Sequence, residues 1–260
     1  MKLGGSVVTD KYSETPKISN DLSRIAKEIK TGYDPEDYRM ILVHGAGSYA
    51  HSLVKESGIY AGIKNKKQIK AFSKTERLCR ELNSIFVKHL EDANLPVFPL
   101  QVSSSTVMNG GNIERMDTSV ISGLLDYGII PVLYGEPAYD RNQGCSILSS
   151  DQILPYLAKE LKADKILYAT NVDGVFTEDP HKNQNTKLIP IINNSNMEEI
   201  KYCLKGSDAY DITGGMKSKI EELIRIKEFK ISSQIFNGVK EGNIEKALKG
   251  CEFGTIIDFH

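Results

Sequence analysis

Short runs of apolar residues, many of them β-branched, alternate along the chain with segments in which apolar residues recur every three or four positions. The short runs predict strands and the periodic segments predict amphipathic helices. The clearest helix pattern covers residues 68–90, and the clearest strand is KILYAT at residues 165–170. Strands that alternate with helices predict an α/β fold, with a mainly parallel sheet and helices on both faces.

The same patterns predict the remaining elements. Helices are expected around residues 22–29, 151–161 and 214–228, and a hairpin turn is expected within residues 107–115, at Asn-Gly-Gly. Residues 177–197 are rich in asparagine and charge and predict a surface excursion. The predicted shorter strands are 3–8, which Gly4-Gly5 break, 40–43, 95–100, 129–133, 231–236 and 255–257. Because ligands bind beyond the carboxyl ends of parallel strands, the residues that follow each strand are the candidates for a site.

Composition narrows the class of protein only slightly. The chain has 260 residues, 40% of them hydrophobic and 26% charged, and a formal net charge of −1, which gives no electrostatic reason to expect nucleic acid. Its apolar runs are far shorter than the roughly 18 residues of a membrane span, and its first residues lack the apolar core of a secretory signal. The four cysteines are widely spaced, so we expect reduced thiols in the cytoplasm rather than a zinc site or disulfides.

Two glycine-rich turns follow the first two predicted strands. KLGGSVVTDK, residues 2–11, contains adjacent glycines that would let the backbone approach an anion closely. HGAGSYAH, residues 44–51, again bares backbone amides, and His51 could donate a hydrogen bond to a phosphate oxygen. The alternatives are a simple Gly-Gly turn beside two surface lysines and a histidine that is satisfied within the fold.

Two more polar clusters follow later strands. In SSDQI, residues 149–153, Asp151 is either a helix cap or a carboxylate that orients lysines around a phosphoryl group. ATNVDGVFTEDP, residues 169–180, supplies a polar turn after a buried strand, and YDITGGMKSKI, residues 210–220, places two glycines at the start of an amphipathic helix. Free amides at such a helix start favour an anion, although the lysines there could equally be solvated.

Each cluster is a weak signal alone, but together they place glycine-rich anion sites and several lysines at the carboxyl ends of strands. Neither GxxxxGK[ST] nor GxGxxG occurs in the chain. The sequence therefore predicts phosphate chemistry without a Walker loop.

The ordered set KLGGS, HGAGS, SSDQ, ATNVDGVFTEDP and DITGGMKSKI resembles the amino-acid kinase family. The resemblance covers essentially the whole chain, to GTII at residues 254–257. It implies an α/β fold, a three-layer αβα sandwich around a mainly parallel sheet, formed by residues 1–260 as a single domain. It also implies that the N-terminal half binds the acceptor and that the half from about residue 151 binds the nucleotide.

His51 narrows the resemblance within that family. The pattern HGxGSxxH is similar to the isopentenyl phosphate kinases, and TDK at residues 9–11 and FNGVKEGNIEKALKG at residues 236–250 add to the likeness. Fosfomycin kinase is also similar and carries this histidine. The chain departs from the isopentenyl phosphate kinase pattern at Ser150, where glycine is usual, and at Tyr49-Ala50, where Phe-Gly is frequent. Ser-Ser-Asp is closer to the fosfomycin-kinase pattern.

The resemblance implies that the protein phosphorylates isopentenyl phosphate with ATP, and it implies a role for each matching residue. The implied catalytic residues are Lys2, Lys11, His51, Asp151 and Lys219. The implied ATP-binding residues are Lys2, Leu3, Gly4, Gly5, Ser6, Gly47, Thr170, Asn171, Asp173, Gly174, Val175, Phe176, Thr213, Gly214, Gly215, Met216, Lys217 and Lys219. The implied acceptor-binding residues are Ala46, Gly47, His51 and Ser150, with Phe72 and Leu82 as candidates for an apolar tail site, although their periodicity first favours the core.

The resemblance further implies Mg²⁺ held largely by phosphates and water, with no metal ligand from the protein. It suggests a cytoplasmic homodimer that acts on a small molecule, without a nucleic-acid or membrane partner. Two alternatives stay open: a kinase of the same fold for another phosphate, phosphonate or carboxylate, fosfomycin included, and a non-catalytic nucleotide sensor. The set Lys2, Asp151 and Lys219 argues against the sensor, because binding alone does not need all three.

Overall fold

The computed structural model describes residues 1–10, 17–178, 180, 183, 185–205 and 215–260, and for residues 202–205 the backbone only. The helices of these residues are α1 Gly5–Val8, α2 Leu22–Gly32, α3 His51–Ser57, α4 Lys66–Asp92, α5 Ser119–Asp126, α6 Ser150–Glu160, α7 Met197–Lys205, α8 Gly215–Arg225 and α9 Asn243–Leu248. The strands are β1 Lys2–Leu3, β2 Leu42–His44, β3 Val97–Pro99, β4 Thr106–Asn109, β5 Asn112–Met116, β6 Ile130–Tyr134, β7 Glu136–Asp140, β8 Gly144–Leu148, β9 Lys165–Thr170, β10 Val175–Phe176, β11 Leu188–Ile189, β12 Ile191–Ile192, β13 Ser232–Asn237 and β14 Thr255–Ile257.

The main sheet has eight strands in the order β12-β14-β13-β9-β1-β2-β6-β3. Its pairings are parallel except for that of β13 with β14. Strands from both halves of the chain meet at its centre, where β1 lies between β2 and β9. The mainly parallel α/β fold expected from the sequence is therefore confirmed.

A smaller sheet, in the order β5-β4-β7-β8, contains the predicted hairpin. Gly110 and Gly111 form its turn, and both have positive φ angles. Asp140, which is fully buried, accepts hydrogen bonds from the amides of both glycines at 3.1 and 2.8 Å. The Asn-Gly-Gly signal therefore located the turn correctly, while the carboxylate that fixes it comes from a strand thirty residues away.

Alternation along the central strands gives the sheet two buried faces. Leu42 and Phe236 belong to one core, which packs against α2, α4 and α9, while Val43 and Ile235 belong to the other, which packs against α5 to α8. Buried strands with apolar residues on both sides are typical of parallel sheets covered by helices. The two cores produce the three-layer arrangement.

The first strand is much shorter than the sequence predicts. Expected over residues 3–8, it ends at Leu3, and the chain continues as the short helix α1. The β-branched pair Val7-Val8 favours a strand locally, but the amides of both valines donate instead to the carbonyl oxygen of Gly4 at 2.9 and 3.2 Å. The neighbouring strands explain the difference, because β2 ends beside Leu3 and offers no further partner.

Most other predicted elements are found within a few residues of their expected ends. The strand at residues 165–170 and the helix expected over 68–90, observed as Lys66–Asp92, are examples. The final turn of the helix expected over 214–228 differs, because α8 ends at Arg225 and a 3₁₀ turn follows it. Among the described residues no helix combines the length and apolar character that crossing a membrane requires.

Candidate active site

The candidate site lies where the central parallel strands end. Leu3 pairs in register with His44 on one side and with Ala169 on the other, so the residues that follow these three strands emerge together. The amide of Gly4 donates to Ala169 O at 2.8 Å and that of Gly45 to Leu3 O at 3.0 Å. The sheet therefore brings three of the sequence clusters to one edge.

A buried carboxylate joins the two lysines that the sequence singled out. Lys2 Nζ lies 2.5 Å from Asp151 Oδ1, and Lys219 Nζ lies 3.4 Å from Asp151 Oδ2. Lys2 is on the central strand, Asp151 in the first turn of α6 and Lys219 in α8, so residues far apart in sequence converge. The three side chains together carry one positive charge at a position where Lys2 and Asp151 are 3% and 2% exposed.

The pKa of Asp151 reflects both its burial and the two neighbouring lysines. Burial by itself raises the pKa of the carboxyl group, but the charges of Lys2 and Lys219 and their hydrogen bonds outweigh burial and hold it below its ordinary value. Asp151 is therefore ionised at neutral pH, and it fixes both ammonium groups without cancelling their combined charge.

Two glycine turns pack backbone against backbone beside this cluster. A Cβ atom built on Gly5 would lie 2.6 Å from Gly47 N, and one built on Gly45 would lie 2.7 Å from Gly5 N. Gly47 has a φ angle of +49°, and its Cβ would lie 2.0 Å from Thr9 Oγ1. Close approach, rather than turn formation alone, therefore explains glycine at these positions.

Thr9 is a residue of the site that sequence reasoning missed. Its buried hydroxyl donates to Gly5 O at 2.7 Å and accepts from the amide of Ser48 at 3.1 Å, so it ties the first turn to the second. The sequence showed Thr9 only as part of the TDK motif, with no role of its own, and its contact with Ser48 depends on the tertiary fold.

The two histidines of HGAGSYAH have different surroundings. His44 is fully buried, with Nε2 3.1 Å from Asn83 Oδ1 and its ring stacked on Tyr134, and burial lowers its pKa. His51 is partly exposed and begins α3. The structural role that is common for histidine thus fits His44, and His51 remains the candidate for ligand binding.

The start of α6 shows which residue caps the helix. Ser149 is the N-cap and forms a capping box with Gln152, so Asp151 is not needed for that purpose. Ser150 is 5% exposed, and a Cβ on Gly135 would lie 3.0 Å from its amide nitrogen. Asp151 is thereby left to face the lysines, as the functional alternative required.

A separate apolar cluster adjoins the second glycine turn. Its buried members are Ala50, Val54, Ile59, Ala71, Cys79, Tyr134 and Cys145. Ala46 and Phe72 are partly buried against it. Leu82, the other tail-site candidate, lies instead in the core between α4 and the sheet and is fully buried. Its place in this core is the one that its periodicity first favoured, and a role for Leu82 at a tail site stays a prediction.

The predicted nucleotide-binding residues of the C-terminal half lie at the end of β9, in the turn after it, or at the start of α8. Thr170 ends β9, and its hydroxyl lies 2.9 Å from Val172 O within the turn. The side chain of Val175 is fully buried in the core that also contains Val43 and Ile235. Gly215 to Lys219 form the first turn of α8, whereas Lys11, Thr213 and Gly214 lie outside the described residues.

This arrangement can bind and orient a polyanion. It combines one buried and one partly buried lysine, amides of two glycine turns and an adjoining apolar cluster. Its strongest interactions are charge–charge contacts. Within the described part of the chain, no three or more histidine, cysteine, aspartate or glutamate side chains gather as a metal site. The chemistry that fits is transfer of a phosphoryl group, which depends chiefly on positioning and charge.

Comparison with known proteins agrees with the geometry. The chain is 39% identical over 269 residues to an isopentenyl phosphate kinase of Methanocaldococcus jannaschii, covering 100% of this chain and 98% of the relative. It is 36% identical to one of Methanothermobacter thermautotrophicus, covering 99% and 97%. A solved isopentenyl phosphate kinase structure aligns with a TM-score of 0.84 at 34% identity over 98% of each chain.

The broader family is also matched directly. The model of the amino acid kinase family matches residues 1–237, and a carbamate kinase from Giardia lamblia, 15% identical, shares the fold with a TM-score of 0.71 over 100% of this chain and 97% of its own. The resemblance drawn from the five sequence motifs is thereby confirmed. Because the family model spans most of its length, the chain belongs to the amino acid kinase family.

Proposed function

We propose that the protein transfers the γ-phosphoryl group of ATP to the phosphate of isopentenyl phosphate. A bond forms between an acceptor phosphate oxygen and the γ-phosphorus, the bond to the β,γ-bridging oxygen breaks, and ADP leaves with those electrons. The observation that carries this proposal is Asp151, which holds Lys2 and Lys219 together at the strand ends. Full-length similarity to isopentenyl phosphate kinases supports the acceptor.

The acceptor makes a general base unnecessary. A phosphate monoester is already largely ionised near neutral pH, since its second pKa is about 6, so the difficulty is to bring two polyanions together. Lys2 and Lys219 would flank the transferring group and offset its charge, with Asp151 holding both ammonium groups in place. Lys11 would add positive charge, and the amides of the two glycine turns would contact the β- and γ-phosphates.

The acceptor would occupy the second glycine turn. Amides of Ala46 and Ser150 and the side chain of His51 would bind its phosphate, and the apolar cluster around Ala50 and Tyr134 would take its hydrocarbon tail. Of the two adjacent departures from the isopentenyl phosphate kinase pattern, Tyr49 packs in the core that also contains Leu42, whereas Ala50 belongs to this apolar cluster.

The nucleotide would lie across the ends of β9 and α8, against Asn171 to Phe176 and Thr213 to Lys217. Mg²⁺, held by phosphates and water, would neutralise charge on the transferring phosphates. We further propose that residues 1–260 form a single domain, whose N-terminal half binds the acceptor and whose half from about residue 151 binds ATP. The proposal also places the protein in the cytoplasm as a homodimer.

The proposal is tested by measuring ADP release with four acceptors: isopentenyl phosphate, dimethylallyl phosphate, fosfomycin and acetylglutamate. We expect turnover with a prenyl phosphate and much slower turnover with the other two, because neither of those pairs a phosphate monoester with a branched hydrocarbon tail. Activity confined to fosfomycin or acetylglutamate, or no activity with any of the four, would refute the proposed acceptor.

Replacing His51 with alanine should raise KM for isopentenyl phosphate by about 10- to 100-fold, the effect of losing one hydrogen bond to a charged group. KM for ATP should change little, because His51 is proposed to contact the phosphate of the acceptor and not the nucleotide. Steady-state kinetics in which each substrate is varied in turn measures both constants.

Two further variants control for this substitution. His51→Gln keeps an N–H donor and should recover part of the loss, while His260→Ala removes an exposed histidine and should have no effect. Equal increases in both KM values for His51→Ala would mean that the residue does not act on the acceptor phosphate.

A further inference from the structure

The segment that follows β13 lies against the turn that follows β9. Asn237 pairs in register with Thr170, and the amide of Gly238 donates to Thr170 O at 2.8 Å. A Cβ atom on Gly238 would lie 2.6 Å from the Cβ of Ala169, so the two stretches touch. This segment largely follows the part matched by the family model, which ends at residue 237.

Asn237, the last residue of β13, and Lys240 of the segment both bind the side chain of Asp173. Asn237 Nδ2 donates to Asp173 Oδ1 at 3.0 Å, and Lys240 Nζ donates to Asp173 Oδ2 at 2.9 Å. The side chains of Asp173 and Lys240 are 46% and 60% exposed, so the pair lies at the open edge of the sheet. An exposed ion pair alone is a weak restraint, and the orientation of Asp173 therefore depends on how firmly the segment itself is held.

Helix α2 holds the segment from its other side. Arg24 Nη2 donates to Val239 O at 3.0 Å, while Arg24 Nη1 donates to Glu28 Oε1 at 2.5 Å. The second oxygen of Glu28 accepts from the amide of Ile244, in the first turn of α9, at 3.1 Å. Arg24 and Glu28, one turn apart on α2, thus bind the backbone at both ends of the connection between β13 and α9, at Val239 and at Ile244.

Because Glu28 is buried, its interaction with Arg24 restrains the backbone more firmly than an exposed ion pair would. Glu28 is 6% exposed on the inward face of α2, and a carboxylate is rarely buried there without partners. Arg24 supplies one partner, and its planar guanidinium serves a carboxylate and a carbonyl at the same time. Removing the charge of Arg24 leaves the buried carboxylate of Glu28 poorly compensated. Arg24 also lies 3.7 Å from Asp21 Oδ2, but without the charge of Glu28 it loses its nearer carboxylate. Both residues therefore help to keep the segment in place.

We propose that Arg24 and Glu28 are positioning residues for the nucleotide. Through residues 237–240 they fix Asp173 in the turn that the proposed function assigns to ATP, and the inference rests on that assignment. The affected part of the substrate is the nucleoside diphosphate portion, which ATP and ADP share, rather than the transferring phosphoryl group or the acceptor.

The inference is tested by titrating ADP into wild-type protein and Arg24→Met in a calorimeter, and by measuring KM for both substrates. The variant should bind ADP about tenfold more weakly and raise KM for ATP by a similar factor, as expected for one lost charged hydrogen bond. The kcat at saturating ATP and KM for the acceptor should stay within about twofold. A purely structural role would instead lower the active fraction and leave KM unchanged.

Control variants separate the outcomes. Lys27→Ala removes an exposed cation from the same helix and should bind ADP as wild type does, and Arg24→Lys should recover part of the affinity. If Arg24→Met does not fold, Glu28→Gln, which keeps an acceptor for Ile244, should show the same selective loss. Unchanged ADP affinity in a folded variant of either residue overturns the inference alone, whereas absence of ADP binding by wild type overturns the proposed function as well.

Discussion

Asp151→Asn is expected to lower kcat by about 100- to 1,000-fold, the range seen when a preorganised charge contact in a catalytic site is removed. The carboxylate lies within 2.5 Å of Lys2 and 3.4 Å of Lys219. An asparagine keeps the shape but not the charge, so the two ammonium groups would repel each other and lose their fixed positions. Both KM values should change far less than kcat, because the lysines act mainly on charge that develops during transfer.

Steady-state kinetics and thermal unfolding together check this expectation. Breaking a buried ion pair also destabilises a protein, by about 3–5 kcal/mol, so the comparison uses protein that is shown to be folded at the assay temperature. Asp164→Asn makes the same chemical change at an exposed position before β9 and should leave kcat unchanged. A kcat within tenfold of wild type for folded Asp151→Asn would contradict the role given to this carboxylate.

Gly47→Ala is expected to cost about 3 kcal/mol or more of stability, or to abolish ATP binding in the protein that still folds. The new Cβ would lie 2.0 Å from Thr9 Oγ1 and 2.7 Å from Gly5 O, and the left-handed backbone, with φ at +49°, adds strain. Because Thr9 ties the two glycine turns together, relief of the clash must separate them. Chemical denaturation and ADP titration measure the two consequences.

Gly128→Ala is the matched control for backbone strain. Gly128 has a φ angle of +72°, but a Cβ there would meet no atom within 4 Å. This variant should therefore cost only about 1 kcal/mol, the strain of a left-handed alanine, and it should leave ATP binding unchanged. Equal losses in the two variants would show that φ alone, and not contact between the turns, requires glycine at position 47.

In the second glycine turn, residues 44–51, the fold shows which departure from the isopentenyl phosphate kinase pattern lies in the cluster proposed for the acceptor tail. Tyr49 and Ala50 both depart from the isopentenyl phosphate kinase pattern, yet the chain directs them into different cores. Ala50 packs with Tyr134 in the cluster assigned to the hydrocarbon tail, whereas Tyr49 helps to fill the core beneath α4. A substitution that matters for the acceptor is therefore expected at Ala50 first.

The sequence by itself determined the fold class and most elements of the candidate site. Apolar runs and helical periodicity located the central strands and the long helix α4, because both depend on local spacing. Glycine turns and lysines after those strands pointed to phosphate, because parallel strands present their carboxyl ends at one edge. Lys2, Asp151 and Lys219 were singled out in this way, and the fold brings them together.

Only the tertiary structure decided features that rest on partners distant in sequence. Val7 and Val8 favour a strand locally but form a helix, because β2 ends beside Leu3. The periodicity of α4 left open whether Leu82 lines a site or the core, and the structure places it in the core with Leu42 and Phe236. Two hydrogen bonds, from the amide of Ser48 to Thr9 and from Arg24 to the carbonyl of Val239, join segments that no local sequence pattern connects. Such contacts depend on how whole helices and strands pack against one another. Burial and the close approach of backbones in the packed structure then override the secondary-structure preference of individual residues.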